Sequence, residues 1–167
     1  MLNYGFRRDD RAEATLLYAR VDPAGYMEDA REYVLRSERP RKTMPDDEFL
    51  IRGWVAACEE LGTSPVDVCA DVATNLWMQP YARVVAIETL AAHGDDGLAR
   101  EALRTCLIES TGDGNIRRKA AQAIRDGWAR EDACSILEDV LSKEVDPTFA
   151  SFLTTLLHAH CRGGNDE

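Results

Sequence analysis

A spacing of 34 residues constrains this chain more than any other feature. Ala82, Ala86 and Leu90 recur 34 residues later as Ile116, Ala120 and Ile124, and Arg83 recurs as Arg117. A second set keeps the same step: Val68, Cys69, Val72 and Ala73, then Ala102, Leu103, Cys106 and Leu107, then Ile136, Leu137, Val140 and Leu141. Within each set the apolar residues recur three or four apart, the spacing of one helical face. Each repeat therefore holds two helices whose apolar stripes are buried only by stacking on neighbouring repeats. This predicts an all-α fold, a short α-solenoid.

The punctuation agrees with this pattern. Ser64 before Pro65, Asp146 before Pro147 and Asp22 before Pro23 each pair an N-capping side chain with proline at the first helical position. The amide that proline lacks would be unpaired there anyway. Gly62, Gly94, Gly97, Gly112, Gly114 and Gly127 fall in the gaps. Helices are predicted over 10–20, 23–37, 46–61, 65–77, 80–93, 97–110, 114–126, 131–143 and 147–160. The first of these also reads as a short strand, through "TLLYARV". Residues 38–45, "ERPRKTMP", read as a basic linker. It divides the chain into an N-terminal helical segment, 1–45, packed as a cap, and a repeat body, 46–167. The last helix, "DPTFASFLTTLL", carries Phe149, Leu153 and Leu157 on one stripe and has no partner helix, as a terminal cap would.

"YARVVAIETL" and "NIRRKAAQAI" are similar to the first helix of bacterial HEAT-like repeats of the phycobilisome-lyase type: a branched residue, then arginine, then an alanine-rich stripe. The resemblance covers residues 46–160 and is good in two units, looser in the first and partial in the last. It implies a right-handed curved stack of helix pairs. It implies no chemistry, because such repeats host many functions and their motif carries no catalytic residues. Under the resemblance, Arg83 and Arg117 are structural, pairing with acidic groups of the adjacent unit. Arg118 and Lys119 have Val84 and Val85 as counterparts and read as a local exposed patch.

Charge narrows the function classes. The chain has a net charge of -10; residues 1–45 contribute nine Lys/Arg and eight Asp/Glu, and residues 46–167 eleven and twenty-two. A body of net -11 repels a phosphate backbone and attracts basic partners, so nucleic acid is not the expected ligand. No apolar run reaches the ~20 residues of a membrane span. The N-terminus, "MLNYGFRRDDRAEA", has no apolar signal region, and the five cysteines are scattered without a CxxC pair. Together these read as a cytoplasmic protein with reduced, packed, unpaired thiols.

Catalytic and metal motifs are weak. "HAHC", 158–161, places His158 and His160 two apart, so on a helix they diverge, and His93 is the one other histidine. No metal and no cofactor is expected. A nucleophile–histidine–carboxylate constellation has too few histidines to build on. "GDDG" and "GDG" are helix-to-helix turns that lack the flanks of a phosphate loop, and no EF-hand spacing exists. Trp54, Trp77 and Trp128 beside an aspartate resemble the parts of the HEAT-like alkylpurine DNA glycosylases, but the acidic body lacks the basic strip such a groove needs. Trp54 also lies on an apolar stripe with Ile51, Val55 and Cys58.

The outward face of the second helices is more informative. Stepping by 34 lines up Asp67, Ala70, Asp71 and Thr74, then Glu101, Arg104, Thr105 and Ile108, then Ser135, Glu138, Asp139 and Ser142. This row holds five carboxylates and one arginine. The candidate partner-binding residues are Asp67, Asp71, Glu101, Arg104, Glu138 and Asp139. Gathered like charges repel one another, and a basic protein relieves that repulsion. The same row also reads as a plain solvated face. The expected function is non-enzymatic binding of a basic protein, as an immunity or antitoxin-like neutraliser or as an adaptor. The alternative is a nucleic-acid-processing enzyme of the DNA glycosylase type.

Overall fold

The computed structural model describes residues 8–35, 47–109 and 114–162. Every regular element among them is helical. They run α1 (Arg8–Val21), α2 (Pro23–Leu35), α3 (Asp47–Leu61), α4 (Val66–Thr74), α5 (Pro80–Ala91), α6 (Gly97–Glu109), α7 (Gly114–Gly127), α8 (Arg130–Lys143) and α9 (Pro147–Leu157). A π-helical turn, His158–Arg162, continues α9. "TLLYARV" lies inside α1, so its strand reading is removed. The linker expected over 38–45 and the gap at Gly112 lie outside the described residues.

Two of the three expected caps form; α4 instead starts at Val66 with Pro65 as its N-cap and no side-chain cap, which corrects the expectation of Ser64 as N-cap with Pro65 inside the helix. Asp22 accepts the Gly25 amide at 3.1 Å, and Asp146 accepts the Thr148 amide at 2.8 Å. The Ser64 hydroxyl, one residue ahead of the α4 N-cap, accepts the Val66 amide at 3.3 Å. Asp96, read only as part of a turn, caps α6 as well, accepting the amides of Leu98 and Ala99 at 2.8 and 3.1 Å. The helix expected over 65–77 stops early, at Thr74. Asn75 ends it: its side chain takes the Trp77 amide at 2.9 Å and its carbonyl the Met78 amide at 3.1 Å. A short amide side chain that bonds its own backbone two residues on favours a turn over another helical turn.

The helices pack in an ordered way. α3 packs on α5, α5 on α7 and α7 on α9; α4 packs on α5 and α6, and α6 on α7. α1 and α2 both pack on α3. There the Tyr26 hydroxyl donates to the Leu50 carbonyl at 2.7 Å, across Gly53, where any side chain would meet the tyrosine. Ends of α5 and α7 also touch: a Cβ on Gly127 would run into the Ala91 carbonyl, and one on Gly94 into the Gly127 carbonyl. The 34-residue spacing is matched in burial. Ala82, Ala86, Leu90, Ile116, Ala120 and Ile124 are all fully buried.

Arg83 and Arg117 repeat as well, and both are buried, at 3% and 8% exposure. Arg83 Nε donates to the Ala73 carbonyl at 2.9 Å, and Arg117 Nε to the Leu107 carbonyl at 2.9 Å. Ala73 and Leu107 each lie in the last turn of a helix, where carbonyls have no intrahelical partner. Each guanidinium therefore closes the end of the preceding helix from inside the core, with a positive charge at the negative end of its dipole. Arg117 also pairs with the Glu144 carboxylate and lies over the Phe149 ring, 3.8 Å from its centroid. Arg117 thus has an acidic partner, at the end of α8 in its own unit and not in an adjacent one as expected. The more general device, shared by both arginines, is the carbonyl.

The cysteines correct one expectation. Cys58, Cys69 and Cys106 are free and buried, but Cys134 and Cys161 form a disulfide, with Cα atoms 6.1 Å apart. The terminal π-helical turn packs on α8 and carries Cys161 back to Cys134. Two residues 27 apart on different elements give no CxxC signature, so the pairing was not visible in the sequence.

Two measurements check this account. Substituting Arg117→Met should cost about 1–3 kcal/mol in urea unfolding, by taking the guanidinium from the buried Leu107 carbonyl; Arg83→Met should cost less, because the Cys106 thiol still donates to the Ala73 carbonyl; and Arg104→Met at the surface should stay within about 0.5 kcal/mol. Thiol titration of denatured, unreduced protein should count the three free cysteines alone, rising to five after reduction.

Candidate functional site

The row of second-helix charges falls on α4, α6 and α8. Asp67, Asp71, Glu101, Arg104 and Glu138 are exposed, and Asp139 is half-buried. Ala70, expected among them, is buried at 5%. α4 lies against both α5 and α6, which cover most of its surface and leave Asp67 and Asp71 as its open carboxylates.

Part of the row is neutralised from within. Arg31 of α2 reaches Asp67 at 2.8 Å, and Lys143 reaches Asp139 at 2.6 Å, one turn along α8. Asp71, Glu101 and Glu138 have no ion pair among the described residues, and neither has Arg104. The surface is therefore less acidic than the sequence row suggests, and its open negative charge is concentrated on one residue of each second helix.

Two shallow depressions meet at Arg104 and Asp139. One, of about 280 Å³, adds Ile108, Arg117, Lys143 and Glu144; the other, of about 320 Å³, adds Arg100, Trp128, Asp132 and Ser135. In the second, Arg100 of α6 pairs with Asp132 of α8 and lies 4.5 Å from the Trp128 ring centroid. The sequence reading missed this bridge, because its partners stand 32 residues apart and not at the 34-residue step. It does place a tryptophan near a carboxylate, but an arginine of the same chain occupies both.

The three tryptophans do not form one site. Trp54 is buried at 1% with Arg31 above it, Trp128 sits under Arg100, and Trp77 is 60% exposed in the α4–α5 turn. Leu76 and Tyr81 beside Trp77 are 67% and 71% exposed. This apolar knob was hidden by reading residues 65–77 as one helix. The signals that reveal it are Asn75 before and Pro80 after.

The basic run at 117–119 is absorbed by the fold. Arg117 is buried, Arg118 lies over Phe152 at 5.8 Å, and Lys119 pairs with Glu88 at 3.3 Å. The sulfur chemistry is likewise structural. Burial pushes the Cys69 thiol up to about 12 and the Cys106 thiol up to about 11, so neither supplies a thiolate near neutral pH. In "HAHC", Cys161 is held in the disulfide, which removes it as a thiolate ligand in this state.

Glu144 is the one strongly organised carboxylate bordering the site. Its side chain is 5% exposed, and it accepts the amides of Val145 and Asp146 at 3.0 and 2.8 Å besides the Arg117 guanidinium. The hydrogen bond from Arg117, aided by those amides, lowers its carboxyl below the usual 4.5.

No protein-family model matches the chain, and no curated protein or solved structure matches it.

A group whose folded pKa is depressed stabilises fully above its unfolded pKa and loses that contribution as pH falls through the folded value. Wild-type protein should therefore lose stability as the pH drops below 4.5. Glu144→Gln should be less stable than wild type at neutral pH and show a shallower acid loss, measured as Tm against pH.

Proposed function

We propose that the chain is a non-enzymatic protein-binding module. In this reading it is a short HEAT-like α-solenoid, capped by α1 and α2 at one end and by α9 at the other, that docks a basic protein on the α4–α6–α8 face. One observation carries the reading: Asp71, Glu101 and Glu138 stay exposed and unpaired while Asp67 and Asp139 are neutralised internally. An open carboxylate on each of three neighbouring helices supports docking of a cationic surface better than it supports stability. Exposed charges contribute only ~0–1 kcal/mol each to folding, whereas a charge pair that loses its partner at a desolvated interface costs ~2–5 kcal/mol.

Two roles suit such a binder: neutralising a basic toxin or nuclease, as an immunity protein does, or holding a client as an adaptor. A cytoplasmic setting belongs to this reading, and the Cys134–Cys161 disulfide weighs against it. No helix among the described residues is long and apolar enough to cross a membrane. The alternative, a DNA glycosylase-type enzyme, draws support from Trp128 beside Asp132, and loses it to Arg100, which covers the ring and bonds the carboxylate.

The test is a triple reversal, Asp71→Lys, Glu101→Lys and Glu138→Lys. Its Tm should stay close to wild type or rise, because self-repulsion is relieved, while capture of basic partners identified by mass spectrometry is lost. Retained capture of the same partners at equal strength would refute the reading, and salt-sensitive binding to duplex DNA would favour the alternative.

A further inference from the structure

We propose that Leu76 and Trp77 in the α4–α5 turn and Tyr81 in the first turn of α5 form the apolar anchor of the docking surface, and that it takes a cationic polypeptide segment whose arginine or lysine side chains pack on the two rings. The inference rests on the reading of the chain as a protein-binding module and names where a partner is gripped. Exposed tryptophan and tyrosine are the side chains most often found at the energetic centre of protein interfaces. These two are among the most exposed large apolar side chains of the described residues.

The knob is held in place before any partner arrives. Asn75 bonds the Trp77 amide through its side chain, and the Met78 amide bonds the Asn75 carbonyl. Met78 itself is 5% exposed and pins the turn to the core, while Pro80 opens α5 two residues later. Leu76 and Trp77 thus project from a fixed loop, which lowers the ordering cost of binding.

The chain's own use of its aromatic rings indicates what fits there. Trp54, Trp128, Phe149 and Phe152 each carry a guanidinium from this chain, from Arg31, Arg100, Arg117 and Arg118. Trp77 and Tyr81 carry none among the described residues. The surrounding sequence has none to give. Residues 53–99 hold seven Asp/Glu and a single Lys/Arg, Arg83, which is buried at 3%. Asp71, one of the open carboxylates, lies one helical turn before Asn75, whose amide bonds its carbonyl. Electron-rich rings in a field of carboxylates attract a cation twice over, through the ring face and through the charge. A second copy of the chain is the poorer occupant, since it would bring the same carboxylates against these.

The probe is a short synthetic peptide alternating arginine and leucine, with an arginine–serine peptide of equal charge as comparison, at about 0.15 M salt. Trp77 is the exposed tryptophan, so acrylamide quenching reports its cover. The arginine–leucine peptide should bind more tightly than the arginine–serine one and protect Trp77. Trp77→Ala with Tyr81→Ala should weaken its binding about tenfold at unchanged Tm, and Trp77→Phe should restore most of it. Equal affinity of wild type and the double variant, no binding, or no protection of Trp77 would overturn the proposal. So would self-association of wild type that the double variant abolishes, which would make a second copy the occupant. The reversal of Asp71, Glu101 and Glu138 separates the two readings. If it leaves peptide binding intact while the double variant loses it, the acidic-face reading fails and the anchor stands. If it alone abolishes binding, the acidic face stands and the anchor fails.

Discussion

The structure depends on a guanidinium placed where a helix ends inside the protein. α4 and α6 both stop against the next helix of the stack, and their last carbonyls would be stranded there without water. Arg83 and Arg117 reach back ten residues and donate to Ala73 and Leu107. Cys106 adds a thiol to the Ala73 carbonyl at 3.2 Å. The bond links the end of each second helix to the start of the following first helix. Arginine suits the position because Nε can bond a carbonyl while the rest of its planar fork remains free for a second partner.

At Arg117 the second partner is an acid. Arg117 spends the remainder of its fork on Glu144, which also gathers the amides of Val145 and Asp146. Asp146 in turn caps α9, and Phe149 lies under the guanidinium. One side chain thus ties the end of α6, the α8–α9 turn and the first turn of α9 into a single unit. α9, which packs on α7 and α8, is held by this network and by the disulfide between its π-helical extension and α8.

Surface charge follows a similar logic of internal satisfaction. A chain of net -10 has more carboxylates than cations, and folding assigns most of the well-placed cations to particular acids: Arg31 to Asp67, Arg100 to Asp132, Lys119 to Glu88, Lys143 to Asp139. The acids left over, Asp71, Glu101 and Glu138, have no ion pair among the described residues, and Trp77 and Tyr81 carry no guanidinium there.

The all-helical class, most helix bounds and two of the expected caps were legible from sequence because each is a local or periodic property. Apolar spacing within a turn, Asp before Pro, and a 34-residue step need no knowledge of what lies opposite. The equivalence of Arg83 and Arg117 was legible for the same reason. What arrives on a residue from another element was not. The carbonyl that Arg83 takes, the cation that silences Asp67, the burial of Ala70 and the pairing of Cys134 with Cys161 all depend on how helices meet. Asn75 shows the boundary between the two. Its turn chemistry is local, yet the exposure of Trp77 behind it was decided by which faces of α4 and α5 the neighbouring helices had already covered. The sequence alone determined a periodic all-helical chain; tertiary packing decided which of its acids and rings stay open, because neutralisation and burial are properties of pairs brought together across the fold.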